Sequence, residues 1–167
     1  MSISFVDNSN KLKHIIVAKV DNKPGVVSRM SGFFTRRGYN IESFVTSVTD
    51  NPAIYHLTFS VLCSEDEAEL LVHQLGRIVE VIEVYDTRGR DVITREFMLI
   101  KINCPSEKSF EILQTCDLLK VKIVGRSEES VTAEVMGASQ KLDDIIKAFE
   151  KYGIIEIVRS GAVCVLN

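Results

Sequence analysis

The chain has 167 residues, 46% of them hydrophobic and 26% charged, with 9 Gly and 3 Pro. That balance excludes disordered, collagen-like and low-complexity chains, and the length allows one domain or two small ones with thin cores. Twenty basic against 23 acidic residues, a formal charge of −3 at pH 7, give no general attraction to phosphate backbones or anionic lipid, so neither nucleic acid nor a membrane is expected as a partner.

No apolar run approaches the ~18 residues needed to cross a bilayer, and Met1 to Lys13 lacks the apolar centre of a secretory signal, so a cytoplasmic protein is expected. Cys63, Cys104, Cys116 and Cys164 never fall in a C-x-x-C pair. In a reducing compartment they read as small buried hydrophobes rather than disulfides or zinc ligands.

In chain order, His14 to Val20 (HIIVAKV) is an apolar run of strand length that stops at the turn formers Asp21 to Gly25. Pro24 suits a first helical turn, and Val26, Met30, Phe33 and Phe34 recur at helical spacing until Gly38 stops the pattern. Tyr39 to Val48 and Ala53 to Leu62 are rich in β-formers, with Thr49 to Pro52 as the turn between them. Ser64 and Glu67 form a capping box before Ala68, Leu71, Val72 and Leu75, Gly76 is a stop, and Ile78 to Tyr85 closes the unit as a strand. The polar stretch Asp86 to Asp91 reads as a linker. The same order then repeats: strands near 95–103, 119–125, 130–137 and from 154 onward, helices near 106–117 and 139–151, with Ser139 as a cap and Gly153 as a stop.

Strand, helix, strand, strand, helix, strand is the split βαβ order. The pattern of residues 53–84 is echoed by 130–158, which supports duplication. The expected fold class is therefore α+β: two tandem ferredoxin-like βαββαβ units, over residues 14–88 and 95–167. Ile15 to Val20 and Val79 to Val84 are apolar at both parities, so the sheet face without helices also needs cover, and a second copy of the chain is expected to supply it.

The dinucleotide, P-loop, nucleophile-elbow and zinc-protease motifs are absent from the sequence. His14, His56 and His73 are isolated, and a structural or surface place suits them better than a proton-transfer role. The run Glu65, Asp66, Glu67, Glu69 fits a first helical turn, where carboxylates oppose the helix dipole. The chain reads as noncatalytic.

One constellation stands out: Asp21 to Arg29 (DNKPGVVSR) with Arg37 to Ser43 (RGYNIES). It brings a strand end into a helix N-terminus, where unpaired N–H groups favour a carboxylate. Gly25 lets a ligand approach the backbone, and the Asn22 and Asn40 amides offer both donor and acceptor to a zwitterion. The same residues also describe a plain turn followed by a strand start, and spacing alone favours that plainer reading.

The run from Asp21 to Phe59, with R-R-G-Y-N-I-E-S at 36–43, closely resembles the ACT domain of the regulatory small subunits of acetolactate synthase. Residues 95–102 and 141–161 resemble that family's second domain. The resemblance implies an N-terminal ACT domain and a C-terminal ACT-like domain in a chain without its own active site. Such a chain would bind and activate the catalytic large subunit and confer feedback inhibition by valine or another branched-chain amino acid. Thiamine diphosphate, Mg and FAD are expected on that large subunit and none of them here. It further implies that the effector lies between two ACT domains, with Asn22 and Asn40 on its polar end, Gly25 and Val26 supplying backbone, and Ile41 beside it. Tyr55-His56 in place of Ser-Arg, the absence of an Arg-Gly tail and about ten extra leading residues depart from the family pattern. Two other readings are a free-standing amino-acid sensor and a small enzyme on a ferredoxin-like scaffold.

Overall fold

The computed structural model describes residues 11–167, which form two units: one of the described residues to Ile93 together with Cys164–Asn167, the other of Thr94–Val163. In the first, β1 (Leu12–Asp21), α1 (Val26–Arg36), β2 (Ile41–Val48), β3 (Ile54–Cys63), α2 (Glu65–Leu75) and β4 (Val81–Asp86) build a four-stranded antiparallel sheet of order β2-β3-β1-β4. The order repeats in β5 (Val92–Asn103), α3 (Ser109–Leu119, after a 3₁₀ turn at Ser106–Lys108), β6 (Lys122–Arg126), β7 (Ser130–Gly137), α4 (Ser139–Glu150) and β8 (Ile154–Leu166), giving a sheet of order β6-β7-β5-β8. Both units are split βαβ folds, as the element order implies.

Period-2 burial on β1 and helical periodicity on α1 meet in the first core. Ile16, Ala18 and Val20 face Val26, Met30, Phe33 and Phe34, which recur at i, i+4, i+7 and i+8. Phe34 lies 4.7 Å from Phe59 between ring centroids, and Phe59 stacks on Phe44 at 4.6 Å, so three elements share one aromatic column. The end of α1 is a Schellman motif: Gly38 takes φ 73°, its N–H donates to Thr35 O, and Tyr39 N–H donates to Phe34 O. At α2 the capping box forms in both directions, Glu67 N–H to Ser64 Oγ and Ser64 N–H to a Glu67 carboxylate oxygen.

Several boundaries differ from expectation. The fourth strand begins at Val81 rather than Ile78, because residues 78–80 form a turn closed by Val81 N–H to Ile78 O. α3 runs to Leu119, where Lys120 at φ 53° ends it, so the next strand starts at Lys122. Ser139 is not a cap: Ala138 occupies that position, and the Ser139 hydroxyl donates instead to Glu96 (2.9 Å). Glu96 is buried and held by a bidentate Arg159 fork at 2.9 and 2.7 Å, and Arg159 also reaches Asp143. The Asp86 to Asp91 stretch includes a turn, with Thr87 N–H on Ile15 O and Gly89 at φ 72°.

The helix-free face of the first sheet is already closed at its centre. Val17, with its cross-strand neighbours Thr58 and Tyr85, is 0 to 3% exposed, and Cys164 lies within electrostatic reach of Tyr85. Apolar residues at both parities therefore do not by themselves require a second copy on that face.

Phe34→Ala should cost about 3–5 kcal/mol, since the void sits in the aromatic column. Ser64→Ala should cost about 1 kcal/mol through loss of the cap. Denaturant melts of the purified chain check both.

Candidate functional site

β1 ends at Asp21, and the chain reaches α1 through four residues fixed by main-chain bonds. Asp21 N–H donates to Glu80 O (2.9 Å), Asn22 N–H to Ala53 O (2.8 Å), and Lys23 N–H to Asp21 O (2.9 Å). Gly25 then takes φ 87°, ψ −8° as the residue preceding the helix. An L side chain there would crowd the following carbonyl, which is why the position demands glycine. No side chain caps α1 and no acidic residue stands in its first turn. The helix start therefore keeps main-chain donors and the positive end of its dipole for an anion. Val26 supplies backbone only: its side chain is core, and its N–H makes a long 3.3 Å bond to Lys23 O.

Asn22 is exposed and donates its side-chain N–H to Pro52 O at 2.8 Å, which leaves the amide oxygen for an ammonium group. Arg29, which closes the Asp21 to Arg29 constellation without an assigned role, and Glu80 join this end of the sheet: Arg29 pairs through Nη1 with Glu80 Oε1 at 2.7 Å, and Arg29 Nη2 hangs over Gly25. The spacing could have revealed Arg29, because a side chain four residues into a helix leans back over its start.

Asn40 and Ile41 do not share this place. Ile41 pairs with Val61, whose neighbour on β1 is His14, whereas Val48 pairs with Tyr55, opposite Val20. Asn40 thus lies at one end of the sheet and Asn22 at the other, roughly 25 Å apart at about 3.3 Å per residue along β2. Asn40 lines a separate cleft of about 250 Å³ with Arg37, Tyr39, Glu42 and Glu67, and Ile41 packs on the core.

The remaining titratable groups have structural surroundings. His14 is buried between Asp86 (Nδ1 to Oδ2, 2.5 Å) and Arg88 (Nη1 to Nε2, 3.3 Å). His56, opposite Lys19 on β1, has its pKa pushed below the ordinary imidazole value, first by burial and then by the Lys19 ammonium. The four cysteines are free and buried, and burial pushes the Cys63 and Cys164 thiols up to about 11. Among the described residues no three His, Cys, Asp or Glu side chains gather as a metal site would need, and no helix is long and apolar enough to cross a membrane.

Two tandem βαββαβ units, the first with a glycine-entered, uncapped helix start, define a tandem ACT-type protein. The match is specific: residues 16–83 fit the description "AHAS small subunit-like ACT domain" and residues 95–166 fit "Small subunit of acetolactate synthase". The acetolactate synthase small subunit of Bacillus subtilis is 35% identical over 90% of this chain and 88% of its own, and that of Mycolicibacterium smegmatis is 33% identical over 91% and 89%. The crystal structure of the small subunit from Thermotoga maritima superposes with a TM-score of 0.78, at 29% identity, covering 93% of this chain and 98% of that one. The chain belongs to the acetolactate synthase small-subunit family.

Gly25→Ala should destabilise the chain by about 1–2 kcal/mol through backbone strain alone, because the site has room for a Cβ. Gly25→Asn should cost less, since Asn tolerates the left-handed region. Thermal melts would show the order. Cys63 and Cys164 should alkylate at least about 100-fold more slowly at pH 8 than an exposed thiol, the ratio set by their thiolate fractions; mass spectrometry of timed samples reads it.

Proposed function

We propose that this chain is a regulatory subunit that binds the large catalytic subunit of acetolactate synthase, raises its activity, and confers feedback inhibition by a branched-chain amino acid, valine first. It acts in the cytoplasm and has no active site of its own; thiamine diphosphate, Mg and FAD belong to the large subunit. The observation that carries the reading is the pair of half-sites. One end of the first sheet offers the main chain of a helix start without a side-chain cap, at Gly25 and Val26, with the Asn22 amide, and the other offers Asn40 beside Ile41.

No single chain can close both halves on one small zwitterion, because the sheet separates them. β2 is the outermost strand of its sheet, so among the described residues its outer edge is left for a second copy. Antiparallel pairing of two β2 strands sets the start of one against the end of the other, beside the Pro52 turn that holds Asn22. The effector then sits at a seam, its carboxylate on the helix start of one copy and its polar end within reach of Asn40 of the other. A ligand at that seam shifts the activating arrangement only by its difference in affinity between two arrangements, typically ~1–3 kcal/mol.

The test mixes the purified chain with its large subunit and follows acetolactate formation with and without valine, leucine and isoleucine. Activation by the chain and inhibition by at least one of the three are expected. Gly25→Asp should abolish inhibition and keep activation, by placing bulk and negative charge against the ligand carboxylate. Asn22→Ala and Asn40→Ala should each raise the half-inhibiting concentration about tenfold, the worth of one hydrogen bond to a charged group. Full valine sensitivity in all three variants would remove these residues from the site, and a monomeric mass by light scattering would remove the seam.

A further inference from the structure

The open side of Gly25 faces a cation rather than water alone. A Cβ built on Gly25 would meet a single non-neighbouring atom within 4 Å, Arg29 Nη2 at 3.9 Å. The other terminal nitrogen of that guanidinium is tied to Glu80 Oε1 at 2.7 Å. Glu80 is itself fixed twice: its side chain is only 12% exposed, and its carbonyl accepts Asp21 N–H. Arg29 is thus held by one fork nitrogen while the other is presented beside the uncapped start of α1. A guanidinium offers parallel donors that match a carboxylate, and a charge-assisted bond there is stronger than the neutral main-chain bonds at the same place.

We infer that Arg29 is a further effector-binding residue, which takes the amino acid's carboxylate together with the helix start, and that Glu80 is an internal competitor that sets effector affinity. The inference rests on the effector site of the preceding subsection and adds to it the group that tells a carboxylate from a neutral end. A second carboxylate arriving beside Glu80 meets like-charge repulsion. Glu80 therefore weakens effector binding even as it positions Arg29. Glu80→Gln keeps an acceptor for Arg29 and removes the charge, so its effect has the opposite sign from loss of Arg29.

Calorimetric titration of L-valine and of valinamide, whose carboxylate is replaced by a neutral amide, into the full chain tests this. Arg29→Gln should weaken valine roughly ten- to hundredfold, Arg29→Lys should recover part of the loss, and the preference for valine over valinamide should fall toward one. Glu80→Gln should tighten valine about three- to tenfold, the size of one like-charge repulsion across partly solvated space. Equal losses for valine and valinamide in Arg29→Gln, or weakened valine binding in Glu80→Gln, would overturn the inference. Loss of valine binding in Asn22→Ala with none in Arg29→Gln would leave the effector site standing and remove Arg29 from it. Wild-type chain that takes up no aliphatic amino acid would remove both.

Discussion

The left-handed backbone at Gly25 is the constraint on which this end of the first unit depends. β1 is mostly buried from His14 to Val20 and must hand the chain to a helix that packs back on the same sheet, within four residues. A backbone at φ 87° makes that turn at no steric cost for glycine alone. The turn is made by the main chain and no side chain caps α1, so the conformation that seats Phe34 on Phe59 also leaves the first turn without a side-chain acceptor. Packing and exposure of the donors are one geometric event.

Val26 shows how closely the two requirements are interleaved. Its side chain belongs to the core while its backbone belongs to the helix start, and its neighbours Gly25 and Val27 are exposed. Along the rest of the sheet the charged pairs are of a different kind. Lys13 with Glu42 and Lys19 with Glu83 are roughly half exposed and contribute little to stability. Arg29 with Glu80 joins an exposed cation to a shielded anion. The carboxylate is costly to leave without a partner and the cation is cheap to move, so the mobile member of the pair is the one beside Gly25.

The parts of the fold legible in the sequence were those specified locally. Gly38 gives a Schellman motif, Ser64 and Glu67 give a capping box, and the spacing of Met30, Phe33 and Phe34 gives the buried side of α1, each within one or two turns of chain. Lys120 could not be foreseen as a left-handed helix end, since a lysine carries no preference for that region and tertiary context imposes it. Ser139 has the chemistry of a cap, but Glu96, distant in sequence, claims its hydroxyl. The turn residues of the candidate site were likewise readable, whereas the distance between Asn22 and Asn40 was not, because it follows from strand register, which depends on pairing between strands separated in sequence. Nor did the apolar residues at both parities disclose that Val17 is covered within its own chain.

Strand register also bears on why an effector site would be divided in this way. An edge strand with unpaired main-chain groups is a liability unless it is shielded or paired. β2 ends in Val48, 81% exposed, and carries a bulge between Ile41 and Ser43 where it starts. Pairing two such edges would satisfy the main chain and, with the half-sites at opposite ends of the strand, would assemble two equivalent complete sites by symmetry. Association and effector binding would then be linked quantities: whatever a ligand contributed across the seam would also stabilise the pair, and whatever disturbed the pair would lower ligand affinity by the same factor. A helix start and an asparagine would have no such coupling if both lay on one face of one chain.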